Sequence, residues 1–96
     1  MTATQSAQVR HNVEARRFEA EVDGRLCRAD YLLAGDTMRL IHTEVHPALE
    51  GRGIASALVR AAFDHAAANG LKIAPACSYV RAWARRHPEL GHLLAR

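Results

Sequence analysis

Ninety-six residues, 49% of them apolar and 5% aromatic, supply one small hydrophobic core and no second. No apolar run approaches the roughly 18 residues a membrane span needs, so no membrane partner is expected. A net charge of +3, from 13 basic and 10 acidic residues, suits anionic partners without choosing between phosphate esters and nucleic acid.

Met1 to Gln8 is polar and small-residue rich, without the basic-then-apolar order of a secretory signal. It reads as a loose arm over residues 1–8, ahead of a single domain over 9–96 in a cytoplasmic protein. Arg10, Arg16 and Arg17 are interleaved with Glu14, Glu19 and Glu21, which argues against a transit peptide. Cys27 and Cys77 lie far apart, and no disulfide is expected in such a compartment. Each is either a small core residue or a reactive thiol.

From Arg16 the pattern has period two, with Phe18, Ala20 and Val22 on one face and Arg17, Glu19 and Glu21 on the other. Asp23-Gly24 is a hairpin turn signal, after which Cys27, Ala29, Tyr31 and Leu33 alternate again. Gly35-Asp36 marks a second turn. A third run, Thr37 to Val45, places Met38, Leu40, His42 and Glu44 together, opposite Ile41, Thr43 and Val45. These runs predict a three-strand antiparallel meander.

The texture changes after Pro47. Gly53 to Asn69 is alanine-rich and helical in period, with Ala55, Leu58, Val59, Ala62 and Ala66 as its apolar stripe. Gly70 suits the left-handed residue that ends a helix. Leu71 to Ala74 reads as a short strand stopped by Pro75, and a second helix runs from about Ser78 to Arg86, closed by His87-Pro88. Residues 89–96 form a tail without a clear pattern. The fold class is therefore α/β (α+β), a meander followed by α-β-α.

Glu50-Gly51-Arg52-Gly53-Ile54-Ala55-Ser56 joins a strand to the alanine-rich helix. Gly51 and Gly53 allow a sharp turn and close approach of backbone to an anion. The first amides of a helix lack internal partners and carry the positive end of its dipole, so a pyrophosphate fits there. The plain alternative is a turn and nothing more. A dinucleotide fold is disfavoured, because the third glycine is missing and antiparallel strands come first. A P-loop would need lysine where Ile54 stands.

Taken together, His42-Thr43-Glu44-Val45, Glu50 to Ala55, Leu71-Lys72-Ile73, Pro75 to Val80 and Arg86-His87-Pro88 resemble the short, single-domain branch of the GNAT-type N-acetyltransferases. The likeness runs from about Arg10 to Pro88. It implies an acetyl-CoA N-acyltransferase-like fold, acetyl-CoA or CoA as co-substrate, and a small-molecule or peptide amine as acceptor. It implies that amides from Gly51 to Ser56, including those of Arg52, Gly53, Ile54 and Ala55, hold the pyrophosphate. The strand edge from Thr43 to Val45 would pair with the pantetheine arm. The chain departs from the superfamily pattern at Ala48, where Gln or Arg is usual, and Glu50 brings negative charge beside the loop, with Arg52 as the compensating cation.

Acetyl transfer needs a neutral amine, a polarised thioester carbonyl and a protonated or stabilised leaving thiolate. A backbone N–H at the splay after Val45 would polarise the carbonyl. Cys77 begins the second helix, where a thiol's pKa falls, so it is a nucleophile, a proton donor, or a small residue at a tight corner. The resemblance points to the Pro-x-Cys-x-Tyr motif as characteristic. Tyr79 protonates the thiolate or packs on the cofactor. His42 and Glu44, one pleat apart, are candidate bases for the amine, or hydrogen-bonded structural residues. No metal site is expected, since His42 and His46 do not share a helical face.

Arg81, Arg85 and Arg86 with His87 surround Trp83 on the second helix, as a solvated basic face or as a contact for the cofactor's 3′-phosphate or an acidic acceptor. Cys27, Tyr31 and Trp83 are assigned to the core. Direct attack of the amine on the thioester is the expected route, by a monomer or weak dimer. The alternatives are CoA binding without turnover and a basic nucleic-acid-binding module, the latter disfavoured for want of a reader motif.

Overall fold

The computed structural model describes residues 8–95, so the arm expected over 1–8 falls, except for Gln8, outside the described residues. Five strands form one sheet in chain order: β1 (Arg10–Asn12), β2 (Arg17–Val22), β3 (Arg25–Ala34), β4 (Thr37–Glu44) and β5 (Lys72–Pro75). The first four are antiparallel neighbours, and β5 joins β4 in parallel through the crossover helix α1 (Ile54–Asn69). A second helix, α2 (Ser78–Arg85), follows β5. The fold is that expected from the sequence, with β1 added. Its three polar residues, Arg-His-Asn, are too few to show a period, and cross-strand pairing with β2 holds them.

Both helices bury against one cluster. Phe18, Ala20, Cys27, Ala29, Tyr31, Met38 and Leu40 from the sheet meet Leu58, Val59, Ala62, Phe63 and Ala66 of α1 and Val80 and Trp83 of α2. Each large apolar side chain fully withdrawn from water contributes roughly 1.5–3 kcal/mol. The stripe on α1 is the expected one, with Ile54 and Phe63 added and Ala55 only half-buried. Gly70 ends α1 at φ 68°, where its amide bonds the Ala66 carbonyl. Leu33, which continues the alternation of Cys27, Ala29 and Tyr31, is 51% exposed, because it lies near the end of β3.

Along β4 the side chains do not keep the strict alternation expected from the sequence. Tyr31 pairs with Leu40 but Asp30 pairs with His42, so Ile41 is an extra residue, a β-bulge. Met38 and Leu40 point into the core, as expected. Beyond the bulge the alternation inverts: Thr43, opposite buried Ala29, takes the core side, while His42 and Glu44 take the outer face. His42 and Glu44 therefore do not share a face with Met38 and Leu40.

Among the described residues no helix covers that outer face, and its composition explains how it meets water. Arg10, Glu19, Arg28 and Glu44 stand side by side on four successive strands. Glu19 is bonded by Arg10 and, at 2.7 Å, by Arg17; Arg28 reaches Asp30 at 3.0 Å and Glu44 at 3.3 Å. Opposite charges on facing strands contribute roughly 0.2–1 kcal/mol a pair. Glu19 is only 4% exposed, and its carboxylate is bonded by Arg10, Arg17 and Asn12. Hydrogen bonding to Arg17 holds its carboxyl below the usual range, against a smaller opposing effect of burial.

The tail, patternless in sequence, turns through a 3-10 segment over Pro88–Leu93. It then lies along β5, with Leu94 bridged to Ile73 and the Ala95 amide 2.7 Å from the Ile73 carbonyl. Among the described residues no helix is long and apolar enough to cross a membrane.

Candidate functional site

β4 and β5 pair from Thr37–Lys72 to Leu40–Pro75 and then part. Proline has no amide to extend the ladder. The Leu40 carbonyl accepts instead from the amides of Ala76 and Cys77, both at 3.0 Å, which turns the chain toward α2. β4 continues to Glu44 with β3 as its strand neighbour. On its other side the edge from Ile41 to Glu44 has no strand partner among the described residues.

The loop into α1 supplies the opposite wall. His46 caps the short turn Pro47–Leu49 by accepting from the Ala48 amide at 3.0 Å, and buried Leu49 anchors it. Gly51 and Gly53 take φ of 86° and 78°, the left-handed region that side chains with a Cβ avoid. Gly53 is the residue before α1 and has no side chain to cap it, and no carboxylate lies in the helix's first turn. The first internal bond is from the Ala57 amide to the Gly53 carbonyl, at 3.0 Å. The amides of Ile54, Ala55 and Ser56 thus have no partner within the helix.

These two walls flank an open cavity of about 500 Å³, lined by Thr43, Val45, Leu49, Glu50, Gly51, Gly53, Ile54, Ala55, Ser56 and Tyr79. An uncapped helix start with small side chains beside an unpaired strand edge fits a pyrophosphate joined to an amide-bearing arm. The structure thereby brings Thr43, Val45, Gly51, Gly53, Ile54, Ala55, Ser56 and Tyr79 together. Arg52 does not line this cavity. Its guanidinium forms an exposed pair with Asp23 of the β2–β3 turn at 3.0 Å, because the turn through Gly51 and Gly53 directs it outward.

Tyr79 is half-buried, and burial raises its phenol pKa, while Arg86 works in the opposite direction. It stays protonated at neutral pH and can donate. Cys77 precedes α2, its Sγ 3.7 Å from Thr43 Oγ1 across the parting strands. Burial pushes the thiol up, but hydrogen bonds from the Val80 and Tyr79 amides and from Thr43 outweigh it, leaving the net pKa below the ordinary thiol value. Cys27 is by contrast fully buried in the sheet's core face.

His42 and Glu44 lie outside the cavity, on the outer face of β4. Their side chains meet at 3.1 Å, and Glu44 also faces Arg28. The bond to His42 and the charge of Arg28 hold the Glu44 carboxyl below its usual range. On α2, Arg81 binds the Ala76 carbonyl at 2.9 Å, fixing the turn between β5 and α2. Trp83 is fully buried, as expected of a core residue, but it also bonds the cavity-lining Ser56, a link that sequence reasoning missed. Among the described residues no three His, Cys, Asp or Glu side chains cluster as a metal site.

A family model described as a GCN5-related N-acetyl-transferase matches residues 17–93. Protein NATD1 of Xenopus tropicalis is 34% identical over 91 residues, covering 92% of this chain and 84% of that protein. Protein NATD1 of Homo sapiens is 34% identical over 83 residues, covering 83% and 74%. The solution NMR structure of a GCN5-like protein from Staphylococcus aureus superposes with a TM-score of 0.74 at 22% identity, covering 93% of this chain and 88% of that one. The last likeness speaks for the fold.

Proposed function

The chain belongs to the GCN5-related N-acetyltransferase family, and from that premise we propose that it transfers the acetyl group of acetyl-CoA directly to an amine acceptor. One observation carries the reading: a single cavity joins the uncapped start of α1 to the unpaired edge of β4. Acetyl-CoA supplies the activated thioester. The amides of Ile54, Ala55 and Ser56 bind the pyrophosphate, the helix dipole adding to them. Small side chains at Gly51, Gly53 and Ala55 let the backbone approach. The β4 edge over Thr43 to Val45 takes the amide-bearing arm as a further strand would be taken, and a free backbone N–H there polarises the carbonyl.

Tyr79, protonated and on the cavity wall, donates to the departing sulfur. Cys77, beside Thr43, lies within reach of the same region and tunes it without forming an acyl intermediate. Glu44, ionised against His42, draws the amine's proton from the outer face of β4, through water.

A second reading, CoA binding without turnover, is favoured by the placement of His42 and Glu44: neither lines the cavity. Thiol release from acetyl-CoA, measured with and without a panel of amines and peptides, separates the two. Transfer predicts amine-dependent release. CoA binding with no release by any acceptor establishes the second reading instead.

A further inference from the structure

Trp83 is the only tryptophan of the chain, and it is fully buried. The one polar atom of its side chain is nevertheless committed to the cavity wall: Nε1–H donates to Ser56 Oγ at 2.9 Å, between helices and 27 residues away in sequence. An indole nitrogen only donates, so the polarity of this bond is fixed. Ser56 Oγ must accept, which leaves its own hydrogen free to donate elsewhere. Ser56 lines the cavity beside the unpaired amides of α1.

The ring is held on several sides. His87 stacks on it at 3.8 Å with planes 19° apart, and Phe63 packs at 5.0 Å. The Arg60 guanidinium lies over it at 5.3 Å from the centroid. His87 is tied in turn, through Nδ1, to the Trp83 carbonyl at 2.8 Å. Rotation of the indole away from Ser56 would break this stack in a close-packed interior.

We propose that Trp83 is a positioning residue for the anion site: by filling an acceptor position on Ser56 it aims the Ser56 hydroxyl at a phosphate oxygen of the bound pyrophosphate. The inference rests on the acetyl-CoA reading of the cavity and deepens it. A hydroxyl donating to an ionised oxygen forms one of the stronger hydrogen bonds, and accepting from the indole strengthens its donation further. The placement of α2 is thereby coupled to the phosphate end of α1.

The test compares CoA with S-acetylpantetheine, which lacks the pyrophosphate, by titration against wild type, Trp83→Phe, Ser56→Ala and the double variant. The expected result is CoA binding weakened about tenfold by Ser56→Ala, somewhat less by Trp83→Phe, and no further in the double variant. Acetylpantetheine binding should be unchanged throughout, and Ser56→Thr, which keeps the hydroxyl, should stay within about twofold of wild type for CoA. Additive losses, or equal weakening toward both ligands, would show a packing role and overturn the proposal. A second measurement stands even where Trp83→Phe fails to fold. CoA should shift Trp83 fluorescence in wild type and not in Ser56→Ala; CoA binding that leaves the wild-type emission unchanged overturns it. Wild-type protein that binds acetylpantetheine but not CoA, or neither, overturns the acetyl-CoA reading itself and this inference with it.

Discussion

Replacing Gly53 by alanine perturbs the backbone and the site separately. Gly53 has φ of 78°, and a Cβ built there meets no atom of the described residues within 4 Å beyond its chain neighbours. The substitution therefore brings no internal clash, only the cost of an L-residue in the left-handed region, roughly 1–2 kcal/mol. In a domain of this size each kcal/mol lowers Tm by about 4–8 °C, so Gly53→Ala should melt roughly 5–15 °C lower. Gly70 is the matched control: φ 68°, again with nothing within 4 Å, at the far end of the same helix. Gly70→Ala should lose comparable stability. Gly91, without a positive φ and equally unobstructed, should tolerate alanine with no change in Tm. The variants part company in CoA titration, run well below the lowest Tm. Gly53→Ala puts a methyl group where phosphate oxygens approach the backbone and should weaken CoA by about tenfold or more, the scale of a lost charge-assisted hydrogen bond. Gly70→Ala should bind as wild type. A folded Gly53→Ala protein with undiminished CoA affinity would refute the assignment of the loop, and an unchanged Tm would refute its left-handed conformation.

Iodoacetamide should label Cys77 much faster than Cys27, since Cys27 is fully buried and the Cys77 thiol is held below its ordinary pKa, and CoA should protect Cys77. Mass spectrometry reads both rates, and equal labelling indifferent to CoA would move Cys77 out of the site. Cys77→Ser should bind CoA nearly normally and lose part of its turnover; a stable acetyl adduct on Cys77 discharged by an amine would refute direct transfer. Glu19 has a lowered carboxyl pKa, so its stabilisation is complete above the ordinary glutamate value of about 4.3 and is lost as pH falls through the lower folded value. Glu19→Gln should cost about 1 kcal/mol at pH 7, read as Tm, with the difference from wild type closing at acid pH; a constant difference down to pH 2 would contradict the arginine cage. Tyr79→Phe should leave CoA affinity within about twofold while lowering turnover about a hundredfold or more, and an unchanged rate would remove it as the acid.

Much of the fold was legible because its signals are local. Phe18, Ala20, Cys27 and Ala29 alternate into the core, and Gly53 and Gly70 mark where α1 begins and ends. The bulge at Ile41 was not, because in Leu40-Ile41-His42 nothing local marks which residue is extra; only pairing to β3 decides it. That single residue sent His42 and Glu44 to the outer face and brought Thr43 to the cleft beside Cys77. The glycine loop and the strand edge were readable from residue type and order. The bond from Trp83 to Ser56 was not, since two helices distant in sequence must first pack. Arg52 shows the reverse case: its charge suggested a phosphate partner, while two positive-φ glycines turn it out toward Asp23.

Whether the start of α1 and the free edge of β4 together hold acetyl-CoA can be read in an amide ¹H–¹⁵N titration of the full chain. Saturable shifts are expected on adding acetyl-CoA, concentrated in the amides from Gly51 to Ser56 and from Thr43 to Val45, with the β2–β3 turn unmoved. Shifts centred instead on the arginines of α2, or a spectrum unchanged at millimolar acetyl-CoA, would contradict that placement.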